Sequence, residues 1–156
     1  MANIIYQKEV GKPSKTARAY AGNSPVSVKY STELCKQIKG KPVNKVIDFL
    51  NRIKSHEEFL PLPTYHKKVA HRKGDSREGT KSGRYPEKVA DAFIQLLNLA
   101  KANADFKGLD AEKLLIIHAF ANMGMNRFSY QSKGKIAGKA RRRNATNIEI
   151  IVQEMK

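Results

Sequence analysis

Residues 131–144, QSKGKIAGKARRRN, place six cations and two glycines together without a single acid. The chemistry open to such a segment is neutralisation of phosphate. Lys133, Lys135 and Lys139 are compact point charges, and Arg141, Arg142 and Arg143 are planar guanidinium forks. Arg127 stands just upstream. Nothing in the segment could seed a core, yet apolar runs flank it on both sides. A second basic stretch, residues 60–85, LPLPTYHKKVAHRKGDSREGTKSGRY, carries His71, Arg72, Lys73 and Arg84 with Tyr65 and Tyr85 among them. Cations interleaved with aromatic rings suit phosphate contact with occasional base stacking. Phe128 and Tyr130 hold a similar place beside the first segment, with packing in a core or hairpin as the alternative.

Catalytic groupings are thin. His71 near Asp75 has the look of a base and its orienter, but in a glycine-flanked basic loop a solvated or phosphate-contacting histidine is the better reading. His118, among Leu and Ile, reads as a satisfied structural histidine. Glu57 and Glu58 are adjacent, so on a helix they diverge by about 100° and cannot work as acid and base. GKIAGKA, residues 134–140, is one residue short of a phosphate-binding loop, and Ala140 stands where a magnesium-binding hydroxyl is needed. Four histidines and one cysteine give no metal-ligand spacing. The expectation is a binding protein, without catalysis, metal or cofactor.

The bulk properties agree. A chain of 156 residues with 40% apolar content is long enough to bury a core, and a single domain over 1–156 is expected. Thirty Lys and Arg against fourteen Asp and Glu leave a formal charge of +16, which points to nucleic acid or an anionic membrane surface as partner. No apolar run approaches the roughly 20 residues of a spanning helix, and MANIIY is too short for a signal sequence, so a cytoplasmic protein without a membrane span is expected. Cys35 is the only cysteine, which excludes an intramolecular disulfide. Residues 121–156 carry eight cations against two acids, whereas residues 91–120 carry three against four. The latter read as structural body.

Several elements must position these charges. Residues 1–26, broken by Gly11, Pro13, Gly22 and Pro25, read as an extended N-terminal arm with one strand around 18–21. A helix follows, with Ser27 as N-cap, an apolar face of Val28, Ser31, Leu34, Cys35 and Ile38, and Gly40 at its end. A second helix starts near Pro42 with the stripe Val43, Val46, Ile47, Leu50 and Ile53, and should lie antiparallel beside the first. Residues 60–85 show no period and read as a long functional loop. Pro86 opens a third helix, with Glu87 in its first turn, buried at Val89, Ala92, Phe93, Leu96, Leu97 and Ala100, and stopping between Asn103 and Gly108.

Two strands close the chain. Leu114, Ile116, His118 and Phe120 alternate with Leu115, Ile117, Ala119 and Ala121, and in residues 147–154 Ile148, Ile150 and Val152 share a face. The residues between them, 122–146, read as a hairpin that orders on a polyanion, with a floppy basic loop in the free protein as the alternative; its arms of about 12 residues could reach roughly 40 Å at about 3.3 Å per residue. The body would have a radius of gyration near 15 Å. The far end of such a hairpin outreaches its own domain, and its Lys, Arg, Gly and Ser composition suits binding instead of burial. The fold class is therefore α+β, three helices packed on a small antiparallel sheet with a long extended β-hairpin.

In chain order, KTARAYAGNSPVS, IKGKPVNKVIDFLNRI, HRKG, SGRYPEKVADAF, NADFKGLD and LLIIHAFANMG resemble the large-subunit ribosomal protein L twenty-two family of archaeal and eukaryotic type, over nearly the whole chain. The resemblance implies a structural role in the large ribosomal subunit. Its partners would be ribosomal RNA, other ribosomal proteins and the nascent peptide. The hairpin tip Lys133, Gly134, Lys135, Ile136, Ala137, Gly138, Lys139, Ala140 and Arg141 would line the exit tunnel. Arg18, Lys39, Lys41, His71, Arg72, Lys73, Arg84 and Tyr85 would join Arg127 and the tip cations on RNA. The chain departs from the family at Ser129–Lys133, where many members have Arg-Pro-Arg, at Lys139 in Gly-Arg-Ala, and at Asn147 in Thr-His-Ile. The rival readings are a free RNA chaperone or nucleic-acid-compacting protein, and an RNA-processing nuclease using His71 or His118.

Overall fold

The computed structural model describes residues 6–8, 12–74, 79–135 and 138–155. Along the chain run β1 (Thr16–Ser24), α1 (Val28–Ile38), α2 (Val43–Lys54), β2 (Leu60–Pro61), β3 (Gly83–Arg84), α3 (Glu87–Phe106), β4 (Leu114–Met123), β5 (Arg127–Tyr130), β6 (Ala140–Arg143) and β7 (Thr146–Glu154). The three helices and the antiparallel sheet β1-β7-β4 make the expected α+β architecture. Two small ribbons, β2-β3 and β5-β6, stand apart from that sheet.

β7 is the central strand, paired along both edges and buried on both faces from Ile148 to Val152. Ile148, Ile150 and Val152 enter the core, where α1, α2 and α3 supply Leu34, Ile38, Leu50, Ile53, Phe93 and Leu97. β1 pairs with β7 through Ala17↔Val152, Ala19↔Ile150 and Ala21↔Ile148. The strand expected at 18–21 is thus longer and belongs to the sheet, so residues 16–24 are not a free arm. Its core residues are alanines, whose small side chains let α3 settle directly on the strand.

In β4 the strict alternation fails. The register with β7 shifts between Ile116 and His118, a bulge that absorbs Ile117. Leu114 and Ile116 reach the core before it, and Ala119 and Ala121 after it. His118 and Phe120, expected to share a face with Leu114, instead turn to the opposite side, where they pair with Ile151 and Glu149.

The helices also differ from expectation in their neighbours. α1 lies on β4 and α2 on α3, so the expected pairing of α1 with α2 gives way to separate seats. The connection between them runs along β4: Gly40 N–H donates to the Ile116 carbonyl at 2.7 Å, and Ile116 N–H to the Lys41 carbonyl at 3.0 Å. Gly40, at φ 73°, makes the left-handed exit that ends α1. α3 ends at Phe106, inside the expected stop between Asn103 and Gly108, but Ala92 is only half-buried while Ala90 and Ala104 are buried.

The 60–85 segment is more ordered than its composition suggests. Leu60↔Arg84 and Pro61↔Gly83 close it as a ribbon, and His71 bridges Ser82. Glu33, fully buried in α1, accepts the N–H groups of Thr64 and Tyr65 at 2.8 and 2.9 Å, and Gln37 Nε2 donates to the Pro61 carbonyl at 3.0 Å. Asp75 lies outside the described residues.

Cys35 sits buried on the inner face of α1, where loss of solvent raises its thiol to about 12. Thiol reagents at neutral pH should therefore label the native protein only as fast as it unfolds. The proton is held more tightly in the folded state, so Cys35 should weaken stability as pH rises from about 9, where the unfolded thiol ionises, towards about 12. Rapid labelling under native conditions would contradict this seat for the thiol.

Candidate nucleic-acid interface

β4 and β7 continue beyond the sheet into the hairpin. The ladder reaches Met123↔Thr146, Gly124 N–H donates to the Ala145 carbonyl at 2.8 Å, and the ribbon resumes at Arg127↔Arg143. It proceeds through Phe128↔Arg142, Ser129↔Arg141 and Tyr130↔Ala140. Gly138 N–H then donates to the Gln131 carbonyl at 2.7 Å to hold the tip. Residues paired directly across an antiparallel ladder share a face. Arg127, Arg141 and Arg143 therefore lie with Ser129 on one face, and Phe128, Tyr130 and Arg142 on the other.

All of these arginines are exposed, as are Lys133, Gly134, Lys135, Gly138, Lys139 and Ala140. Ile136 and Ala137 lie outside the described residues. Phe128 is 60% and Tyr130 72% exposed, which removes core packing as the account of these rings. Among the described residues none of the hairpin cations has a carboxylate partner. An Arg142 amino group donates to the Met123 sulfur at 3.3 Å. Like charges directly opposite on a ladder repel, so Arg127 and Arg143 make the free hairpin less stable than a polyanion-bound one.

A second cluster forms where β3 meets α3. The Arg72 guanidinium lies 5.3 Å from the Tyr85 ring centroid, and His56 stacks on the same ring at 4.7 Å. His56 Nε2 in turn approaches Glu87 within 2.7 Å. Arg72 Nε donates to the Gly83 carbonyl at 3.2 Å, as does an Arg84 amino group. Tyr85 and Arg72 are thus held in place, with exposed His71 and Lys73 beside them in sequence. Sequence reasoning missed His56, which sits just past the end of α2 at φ 63°.

The remaining candidates are dispersed. Lys39 is exposed and Lys41 half-buried at the turn between α1 and α2. Arg18 lies on the outer face of the sheet with its guanidinium 5.4 Å from the Tyr6 ring centroid. Burial raises the Tyr6 phenol above its usual value, against the opposing pull of Arg18. On that face Glu149, almost fully buried, lies 3.2 Å from His118 Nε2 and accepts the Gln7 N–H. His118 is thus partnered inside the sheet, away from the basic ribbons. Among the described residues no cluster of three potential metal ligands occurs, and no helix is long and apolar enough to cross a membrane.

Residues 19–153 match the family model described as Ribosomal protein L22p/L17e. The large ribosomal subunit protein uL22 of Ignicoccus hospitalis is 40% identical over 147 residues, covering 92% of this chain and 91% of the relative. That of Methanococcus vannielii is 36% identical with 99% of each chain covered, and that of Methanocaldococcus jannaschii 36% identical with 99% and 97% covered. A match that takes in most of β1, all three helices, the hairpin and nearly all of β7 covers both the body and the hairpin: the chain belongs to the ribosomal protein L22p/L17e family.

Proposed function

We propose that this protein is a structural constituent of the large ribosomal subunit, where it binds and organises ribosomal RNA and plays no catalytic part. The observation that carries the reading is the β5-β6 hairpin, with three arginines that have no carboxylate partner among the described residues on one face and two exposed aromatic rings on the other. Such a surface has no use for water alone. Arginine forks fit phosphate oxygens, and exposed rings offer stacking surfaces to unpaired bases. The names of the relatives as large-subunit proteins support the same assignment.

In this reading Arg127, Lys133, Lys135, Lys139 and Arg141–Arg143 enter RNA with the hairpin. Arg18, Lys39, Lys41, His71, Lys73 and Arg84 hold the body against it, together with the pinned Arg72–Tyr85 pair. Residues 133–141 line the wall of the peptide exit tunnel and meet the nascent peptide. Other ribosomal proteins are neighbours, and the site of action is the cytoplasmic ribosome. A free RNA chaperone would share the charge but would wash from ribosomes at high salt, whereas a subunit constituent stays stoichiometric.

If six to ten of these cations meet phosphates, the affinity of the isolated protein for RNA should fall by roughly three to five decades between about 50 and 200 mM salt. A titration giving an affinity nearly independent of salt would sink the phosphate account.

Excision of residues 133–142, with the arms closed by a short turn, should leave the melting temperature nearly unchanged, because none of the described residues removed is buried. The truncated protein should still enter large subunits. A density map of those subunits should show the tunnel widened locally, and an unchanged wall would place the tip elsewhere.

A further inference from the structure

Where the hairpin leaves the body there is a cleft of about 340 Å³ between the end of β1 and the two hairpin arms. Its volume falls at the small end of the range for specific ligand sites. Pro25, Met125 and Ala145 give it apolar walls, Arg127 and Arg143 stand on it as a cross-strand pair, and Asn23 and Asn144 add side-chain amides. We propose that this cleft captures a single unpaired base of RNA, with the two arginines holding the phosphates on either side of it. The inference rests on the RNA-binding reading above and adds to it a defined site for one nucleotide.

The cleft is built and held. Asn23 takes up left-handed backbone at φ 50°, and its Oδ1 accepts the Met125 N–H at 2.8 Å. Its own N–H donates to Asn147 Oδ1 at 2.8 Å. Thr146 Oγ1 donates to the Val26 carbonyl at 2.7 Å, tying the opposite wall to the same corner. At Gly124 a Cβ would lie 2.7 Å from Asn23 Oδ1, so a side chain there would force the corner open. A left-handed non-glycine residue costs free energy and persists where its surroundings require it. Here it aims an amide across the root of the hairpin. A cavity fixed before binding loses little conformational freedom when occupied.

The lining selects the ligand. An apolar wall of Pro25, Met125 and Ala145 with asparagines beside it suits the π-face and polar edge of a nucleobase, since an amide both donates and accepts. Among the described residues the Asn144 amide makes no hydrogen bond, and Asn23 Nδ2 makes none either. The repulsion between Arg127 and Arg143 is relieved by an anion at the mouth. A base inside a duplex is stacked and cannot enter, so the occupant is bulged or looped out.

Two RNA duplexes matched in phosphate number distinguish this site from general charge attraction. One is fully paired and the other carries a single bulged adenosine, replaced by a fluorescent adenine analogue. The full-length protein should bind the bulged RNA about tenfold more tightly, the scale of a base-edge contact, with a change in analogue fluorescence. Ala145→Leu, which fills the cleft, and Asn144→Ala, which removes an exposed amide, should each abolish this preference while binding the paired duplex as the parent does. Equal binding of both RNAs by the parent would overturn the base site and leave phosphate binding standing. Adenosine monophosphate binding as tightly as the bulged RNA would overturn it in favour of a free-nucleotide site. Failure to bind either RNA would refute the RNA-binding reading itself.

Discussion

The hydrogen-bond ladder along both edges of β7 is the constraint on which the rest of the molecule depends. β1 and β4 join the sheet through it, and the helices rest on the apolar face that the three strands make together. A slip of one residue in either ladder would turn Ile148, Ile150 and Val152 away from the helices. The hairpin grows out of the same ladder with a shift of one residue, since residues 124–126 on one arm stand against Asn144 and Ala145 on the other between Met123↔Thr146 and Arg127↔Arg143. The placement of the charged ribbon is therefore fixed by a buried apolar pattern some residues away.

The acids are spent inside the body. Glu33 secures the 60–65 backbone and Glu149 the second face of the sheet. Exposed carboxylates form pairs such as Lys54–Asp91 and Lys101–Glu112. Such surface pairs contribute about 0–1 kcal/mol each, so they matter less for stability than for cancelling charge where no polyanion is needed. The hairpin has no acid at all, and its field remains unopposed. Folding and binding are thereby assigned to different residues of one chain.

Much of this was legible in the sequence because it depends on local pattern. The stripes of α1, α2 and α3 and the alternation of β7 follow directly from burial on one face. The polarity of residues 131–144 announces that they cannot be core. What escaped depends on distant partners. β1 hides its core face in alanines, which carry little strand signal. The bulge at Ile117 is invisible until β7 supplies the opposing register. Glu33 reads as a solvated helix residue until the backbone of Thr64 and Tyr65 arrives above it. At the interface, the cations were evident individually, but His56 behind Tyr85 and the Asn23 corner required the fold to bring residues together.

The pairing of β1 with β7 also bears on how the protein is made. Thr146 bonds to Val26 across 120 positions of chain, and every register partner of β1 is comparably remote. A strand synthesised early thus has no edge to join until the last-made part of this sheet leaves the translation machinery. Meanwhile α1, α2 and α3 can form but have no completed sheet to cover. Contacts of such long range close slowly and leave apolar surface open in the interim. The nascent protein must pass through a stage in which it is already strongly cationic but not yet folded, and shielding at that stage has to come from outside the chain.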